Sequence, residues 1–211
     1  MQDLIEGIYR YAEENSHPPD PLLLEIERIT HLKTLSPRML SGHLQGNFLT
    51  ALSKLKRPRY ILEIGTFTGY SALCLAKGLA PGGKLITIEY DAEHAEIAGT
   101  FVAASQYADS ITILLGDAKK IIPDLDVIFD LVFIDADKEG YQQYYDLIID
   151  KCSSGALIIA DNVLWSGKVL DQDKDKKTQV IHDFNLKVKH DPRVENVILP
   201  FRDGINVIIK K

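Results

Sequence analysis

The sequence predicts an α/β sandwich: a doubly wound, seven-stranded sheet, mostly parallel, with helices on both faces and an antiparallel C-terminal hairpin strand. Three observations predict it. From Tyr60 onward, short β-branched runs alternate with helical stretches, the pattern of βαβ units around a parallel sheet. The last two runs, 194–199 and 205–210, are separated only by 200–204, which is hairpin spacing and too short for a crossover. The first 55 residues, by contrast, carry apolar residues at helical spacing.

Taken in order, residues 1–15 read as an amphipathic helix, followed by helices over 22–33 and 37–55 that Pro18, Pro19 and Pro37 punctuate. Parallel strands are predicted over 60–63, 84–89, 111–115, 131–135 and 156–161. Helices over 71–78, 92–107, 118–122 and 141–152 connect them. In the last of these, Tyr141, Tyr144, Tyr145 and Ile148 form an apolar stripe that reads as core. No repeat or low-complexity linker interrupts the chain. It reads as one domain over 1–211, a helical N-terminal cap (1–55) on an α/β core (60–211).

A chain of 211 residues is long enough to bury a full core. With 24 basic against 30 acidic residues, the net charge of −6 disfavours a nucleic-acid or membrane-surface binder, whose footprint is a basic patch. The longest apolar runs, 131–134 and 156–160, are strand-sized and far short of a membrane span. No basic-then-apolar targeting segment opens the sequence, so a cytoplasmic protein is expected. Cys74 and Cys152 show no metal-ligand spacing and read as buried thiols of a reducing compartment.

In doubly wound sheets, ligands bind beyond the carboxyl ends of the strands, so function is sought there. The first strand closes on Glu63-Ile64-Gly65-Thr66-Phe67-Thr68-Gly69-Tyr70-Ser71. Glycines after a strand let the backbone turn tightly and approach a ligand in front of a helix N-terminus. Phe67 stands where a dinucleotide fingerprint has its middle glycine, and Glu63 would repel a pyrophosphate. A ligand with a positive amino group suits that acid better; a bare structural turn is the alternative. The second strand closes on Glu89, a position from which an acid commonly receives the hydroxyls of a ribose. After the third comes Gly116-Asp117-Ala118, where Asp117 reads as a helix N-cap.

The fourth and fifth strands deliver Asp135, Asp137, Asp161 and Asn162 to one end of the sheet. Two carboxylates ~4 Å apart repel by roughly 4 kcal/mol at an effective dielectric near 20. A hard divalent cation would turn that cost into a gain. Oxygen donors without His or Cys point to magnesium first, with calcium or manganese as alternatives; solvated or capping acids are the competing reading. Lys138 would face the same region. By itself it reads as a surface lysine paired with Asp135 or Asp137, and as a general base only if its surroundings favour the neutral amine.

Glu63-Ile64-Gly65, Thr68-Gly69-Tyr70-Ser71, Gly116-Asp117-Ala118, Phe133 through Lys138, Asp161-Asn162-Val163-Leu164-Trp165, Gly167 and Asp191-Pro192-Arg193 together resemble the cation-dependent O-methyltransferases. That group includes the caffeoyl-CoA and catechol O-methyltransferases, which have a Rossmann-like, class I S-adenosylmethionine-dependent fold. The resemblance runs from about Met39 to the C-terminus. It implies Asp135, Asp161 and Asn162 as ligands of a divalent cation. It implies Met39, Glu63, Gly65, Ser71, Glu89, Ala118, Asp135 and Asp137 as contacts of S-adenosylmethionine, with Glu89 on the ribose. Lys138 matches the lysine that serves as base in the catechol enzymes, and Trp165 a substrate-wall aromatic.

What the resemblance implies is metal-assisted methyl transfer to a small aromatic molecule with two adjacent hydroxyls, catechol-like or hydroxycinnamoyl, by a homodimer. The sequence departs from the plant caffeoyl-CoA pattern between Gly167 and Asp191, where the charged run 171–177 reads as a solvated loop or, more sharply, a flap over the substrate. The alternative activity is methylation of a hydroxylated uridine in tRNA, which some members of the group perform. The basic residues Lys54, Lys56, Arg57 and Arg59 are the only feature that speaks for it.

Overall fold

The computed structural model describes residues 2–211. Its centre is a seven-stranded sheet in the order β3-β2-β1-β4-β5-β7-β6. The strands are β1 (Tyr60–Ile64), β2 (Lys84–Glu89), β3 (Ile111–Leu115), β4 (Phe129–Ile134), β5 (Cys152–Ala160), β6 (Val194–Leu199) and β7 (Ile205–Lys210). β1 to β5 pair in parallel. β7 runs antiparallel to both β5 and β6, which closes the sheet with the hairpin the sequence predicts.

Alternation with period two sends successive side chains of each strand into two different cores. Leu62, Ile64, Val132 and Ile158 face one core, shared with α7 (Tyr141–Ile149) and α8 (Lys176–His190). Ile61, Leu131, Phe133 and Ile159 face the other, shared with α2 (Pro21–Lys33), α3 (Gly42–Lys56), α4 (Tyr70–Ala76) and α5 (Ala92–Ala104). Both sheet faces are therefore covered, which is why these strands are apolar on both sides. The remaining helices are α1 (Gln2–Glu14), the counterpart of the predicted 1–15 helix, and α6 (Ala118–Asp124). Met1, included in that prediction, lies outside the described residues.

Two expectations are corrected. The helix predicted over 37–55 is broken: Pro37–Met39 is a 3₁₀ turn, and α3 starts at Gly42, whose φ of +74° is a left-handed conformation that a continuous helix excludes. The charged run at 171–177, expected as loop, contains the start of α8. Asp175 caps that helix by accepting a hydrogen bond from the Thr178 N–H at 2.7 Å. Apolar residues then recur at Ile181, Phe184 and Val188 on its buried face. Among the described residues no helix is long and apolar enough to cross a membrane, and Cys74 and Cys152 are both free and buried.

β1 leads to β2 and β3 on one side of the sheet, while β4 and β5 lie on the other. The order thus reverses between β1 and β4, and a crevice opens beyond their carboxyl ends. Gly65 follows β1 and Asp135 follows β4, so the topology puts both at its floor.

Candidate active site

A cavity of about 1530 Å³ occupies that crevice. It exceeds the few hundred to about 1,000 Å³ of an ordinary small-molecule pocket and has room for two reactants. Of the residues singled out from the sequence, Met39, Gly65, Ser71, Glu89 and Ala118 lie on its wall. Asp135, Asp137, Lys138, Asp161, Asn162 and Trp165 share the same cavity. Glu63 does not reach the wall. Lys54, Lys56, Arg57 and Arg59 are also absent from it; they lie at the end of α3 and the amino end of β1, away from the strand ends that form the cavity.

The floor is built on a close approach of two backbones. Gly65 has φ +98°, and a Cβ at this position would stand 2.2 Å from the Asp135 carbonyl oxygen. Only glycine fits there. The loop beyond it is tied to the end of β2: Glu89 Oε2 accepts from the Phe67 N–H at 2.7 Å. Glu89 Oε1 accepts from the N–H groups of Tyr90 and Asp91 at 3.0 and 2.9 Å. This carboxylate therefore shapes the loop as well as facing the cavity.

Glu63 lies behind the wall, fully buried. The Thr87 hydroxyl donates to its Oε2 at 2.6 Å, and its Oε1 has no hydrogen-bond partner among the described residues. Burial pushes its carboxyl up from 4.5 to about 8; the Ser71 and Thr87 hydroxyls oppose the shift and the charges of Asp135 and Glu89 reinforce it. The folded chain thus holds this proton more tightly than the unfolded chain does. Its contribution to stability is complete below pH 4.5 and is lost as pH rises through about 8. In ligand-free protein, urea unfolding is expected to show stability falling across that window relative to Glu63→Gln, which cannot titrate. A difference between the two that stays flat from pH 5 to 8 would show that Glu63 is ionised throughout.

The polar centre lies on the other side of Asp135. Lys138, in a 3₁₀ turn over Lys138–Gly140, donates from Nζ to Asp135 Oδ1 at 3.1 Å and to the Tyr141 hydroxyl oxygen at 2.6 Å. Tyr141 in turn donates to the Asp161 carbonyl oxygen at 2.9 Å. Burial raises its phenol well above the usual tyrosine range, so it remains a neutral donor. The Tyr144 hydroxyl donates to Asp137 Oδ1, and that of Tyr145 to Asp191 Oδ2 at 3.0 Å. The apolar stripe of α7 is thus core, as its spacing predicts, but each ring carries a hydroxyl to a polar partner at its edge.

Asp161 directly follows β5 and is nearly buried, and burial together with the Asp135 charge raises its carboxyl. Its Oδ1 accepts from the Asn162 N–H at 2.7 Å and its Oδ2 from Gln45 Nε2 at 2.6 Å. Asn162 sits in the left-handed region at φ 56°, which Asn tolerates better than most residues. Trp165 and Ser166 follow at φ 50° and 54°, where non-glycine residues store roughly 1–3 kcal/mol each. The hairpin tip braces this loop: Val163 and Leu164 N–H donate to the carbonyls of Gly204 and Asp203 at 3.0 and 2.9 Å.

Sequence reasoning missed Gln45 and Arg202, and assigned Tyr141 no polar role. Tyr141 had a signal: it follows Lys138 by three residues, at the start of the helix that the 3₁₀ turn leads into. The other two meet the site only through tertiary packing.

The donors converging here suit a hard cation in type: two carboxylates and an amide, with Lys138 Nζ providing the positive charge beside Asp135. Among the described residues no three His, Cys, Asp or Glu side chains form a ready-made metal cluster, so an amide oxygen would have to complete the set. The groove at Gly65, with the acids Glu89 and Asp137 on its wall, suits a cationic nucleoside-like ligand that needs close backbone approach.

Comparison with known proteins places this arrangement. The family described as O-methyltransferase matches residues 13–211. A catechol O-methyltransferase of Niastella koreensis is 38% identical over 160 residues, 74% of this chain and 72% of that protein. A caffeoyl-CoA O-methyltransferase of Eucalyptus gunnii is 33% identical over 217 residues, 96% of this chain and 86% of that protein. The crystal structure of an O-methyltransferase from Bacillus cereus in complex with SAH superposes with a TM-score of 0.90 at 31% identity, covering 97% of each chain. By sequence over nearly its whole length, and by a cavity at the switch point of the same fold, the chain belongs to the O-methyltransferase family and is an enzyme of that class.

Proposed function

We propose that the enzyme transfers a methyl group from S-adenosylmethionine to one of two adjacent hydroxyls on a small aromatic molecule, with a divalent cation, magnesium first, held by Asp135, Asp161 and Asn162. One observation carries the reading. Those three residues and Lys138 line the same cavity as the Gly65 loop and Glu89. The relatives named for catechol and caffeoyl-CoA substrates support the choice of acceptor.

S-adenosylmethionine would supply the activated methyl on a sulfonium. The cation would supply Lewis acidity and a template for adjacent oxygens. The chain's own residues do the rest. Gly65, Ser71 and Glu89 shape the cofactor's place, and Asp137, fixed by Tyr144, adds negative charge at its edge. Lys138 Nζ, held by Asp135 and Tyr141, would accept the proton from the reacting hydroxyl as the neutral amine, its ammonium proton having first passed to solvent. Trp165 and the braced loop around it wall the acceptor and exclude water.

Magnesium titrated into EDTA-stripped protein, with a catechol and labelled cofactor present, is expected to restore turnover from near zero to saturation. Equal turnover without added cation would overturn the proposal. The tRNA activity has no support beyond the basic residues Lys54, Lys56, Arg57 and Arg59.

A further inference from the structure

Gln45 is almost fully buried in α3, 116 residues before the carboxylate it touches. Its two amide ends are committed to different partners. Nε2 donates to Asp161 Oδ2 at 2.6 Å, while Oε1 accepts from Arg202 Nη1 at 2.9 Å. Arg202 stands on the tip between β6 and β7, in the left-handed region at φ 51°. Its Nη2 reaches the Leu40 carbonyl at 3.3 Å, and its backbone N–H donates to the Tyr9 hydroxyl at 2.7 Å.

The chemistry of the groups gives this chain a direction. A guanidinium has donors and no acceptor, so only the oxygen end of the Gln45 amide can face it. The NH₂ end is then the one left for Asp161. With Oδ1 already on the Asn162 N–H, this fixes the rotation of the Asp161 carboxylate. Without Arg202, the buried amide oxygen loses this partner and the Gln45 side chain is held at its Asp161 end alone. The hairpin tip that carries Arg202 is itself bonded to the loop after β5 through Asp203 and Gly204. The relay thus closes a ring of contacts around Asp161.

We infer that Arg202 and Gln45 are positioning residues that set the cation affinity of the site by fixing the Asp161 carboxylate. The inference rests on the proposed role of Asp161 as a ligand. Groups that orient metal ligands typically account for 10- to 100-fold in affinity. The apolar cores make no comparable demand for an Arg–Gln–Asp chain. Its three members come from the hairpin tip, α3 and the residue that follows β5, three separate parts of the chain.

The test is Mn²⁺ binding by calorimetry to cofactor-free protein, with SAH binding measured alongside as a check on the folded pocket. Gln45→Met, which keeps the volume and loses both hydrogen bonds, is expected to weaken Mn²⁺ about 10- to 100-fold and SAH less than about threefold. Arg202→Met, on an exposed residue, is expected to weaken Mn²⁺ by about 3- to 10-fold and remains measurable even if Gln45→Met folds poorly. In the Gln45→Met background the Arg202→Met change should have no further effect, because it acts through the missing amide. Unchanged Mn²⁺ affinity in Gln45→Met, or the same Arg202→Met effect in both backgrounds, would overturn the relay. Asp161→Asn separates the two levels. If it too leaves Mn²⁺ binding unchanged, or the unmodified protein binds no Mn²⁺, the ligand assignment itself fails.

Discussion

Lys138→Met is expected to lower kcat by about 10²- to 10⁴-fold while leaving cofactor affinity within a few-fold of the unmodified enzyme. The substitution keeps the length of the side chain and removes its only titratable group. Lys138 Nζ bonds Asp135 Oδ1 at 3.1 Å and the Tyr141 hydroxyl at 2.6 Å, so its head is held at the cavity wall and not in bulk solvent. The loss should therefore fall on proton transfer from the acceptor and not on binding. Steady-state kinetics with a catechol, paired with SAH calorimetry, separates the two. A kcat within threefold of the unmodified enzyme would mean that another group takes the proton, and that Lys138 is only the counter-charge of Asp135.

Gly65→Ala is expected to cost about 4 kcal/mol or more of folding stability, at the far end of single-substitution effects. The added methyl would meet the Asp135 carbonyl oxygen at 2.2 Å, and φ there is +98°. The obstacle is backbone on both sides, held by Asp135 N–H to Ile64 O at 2.9 Å and Gly65 N–H to Ile88 O at 3.0 Å. No side-chain rotation relieves it. The strands must separate at the point where the cavity floor forms, so SAH binding should be lost with the stability. Urea unfolding reads the first effect and calorimetry the second. Stability within 1 kcal/mol of the unmodified chain would show that the β1–β4 crevice yields far more readily than its packing implies.

Both predictions concern residues already prominent in the sequence, and the reason is that their signals are local. Gly65 stands out because a glycine directly after an apolar strand marks a tight turn or a close backbone approach. Lys138 stands out because it follows Asp135 by three residues. The α/β alternation is equally local, and the seven strands are legible for that reason. The start of α8 is harder to read, although its cap at Asp175 and its apolar spacing at Ile181, Phe184 and Val188 are also local signals; the surrounding charges obscure them. The break before α3 is a backbone matter, a left-handed Gly42, which apolar periodicity does not register.

The sequence by itself determined the layered fold, the strand ends where chemistry would gather, and the types of group assembled there: acids, an amide and a lysine. Each of those follows from the order of neighbouring residues and the period of a strand or helix. Only the tertiary structure decided that Glu63 lies behind the wall, that Tyr141 holds Lys138, and that Gln45 and Arg202 enclose Asp161. The contacts around Asp161 span 116 and 157 residues of chain. Hydrogen bonds between groups that far apart leave no periodicity in the sequence; they exist because packing the sheet, α3 and the hairpin leaves these polar groups one another as partners.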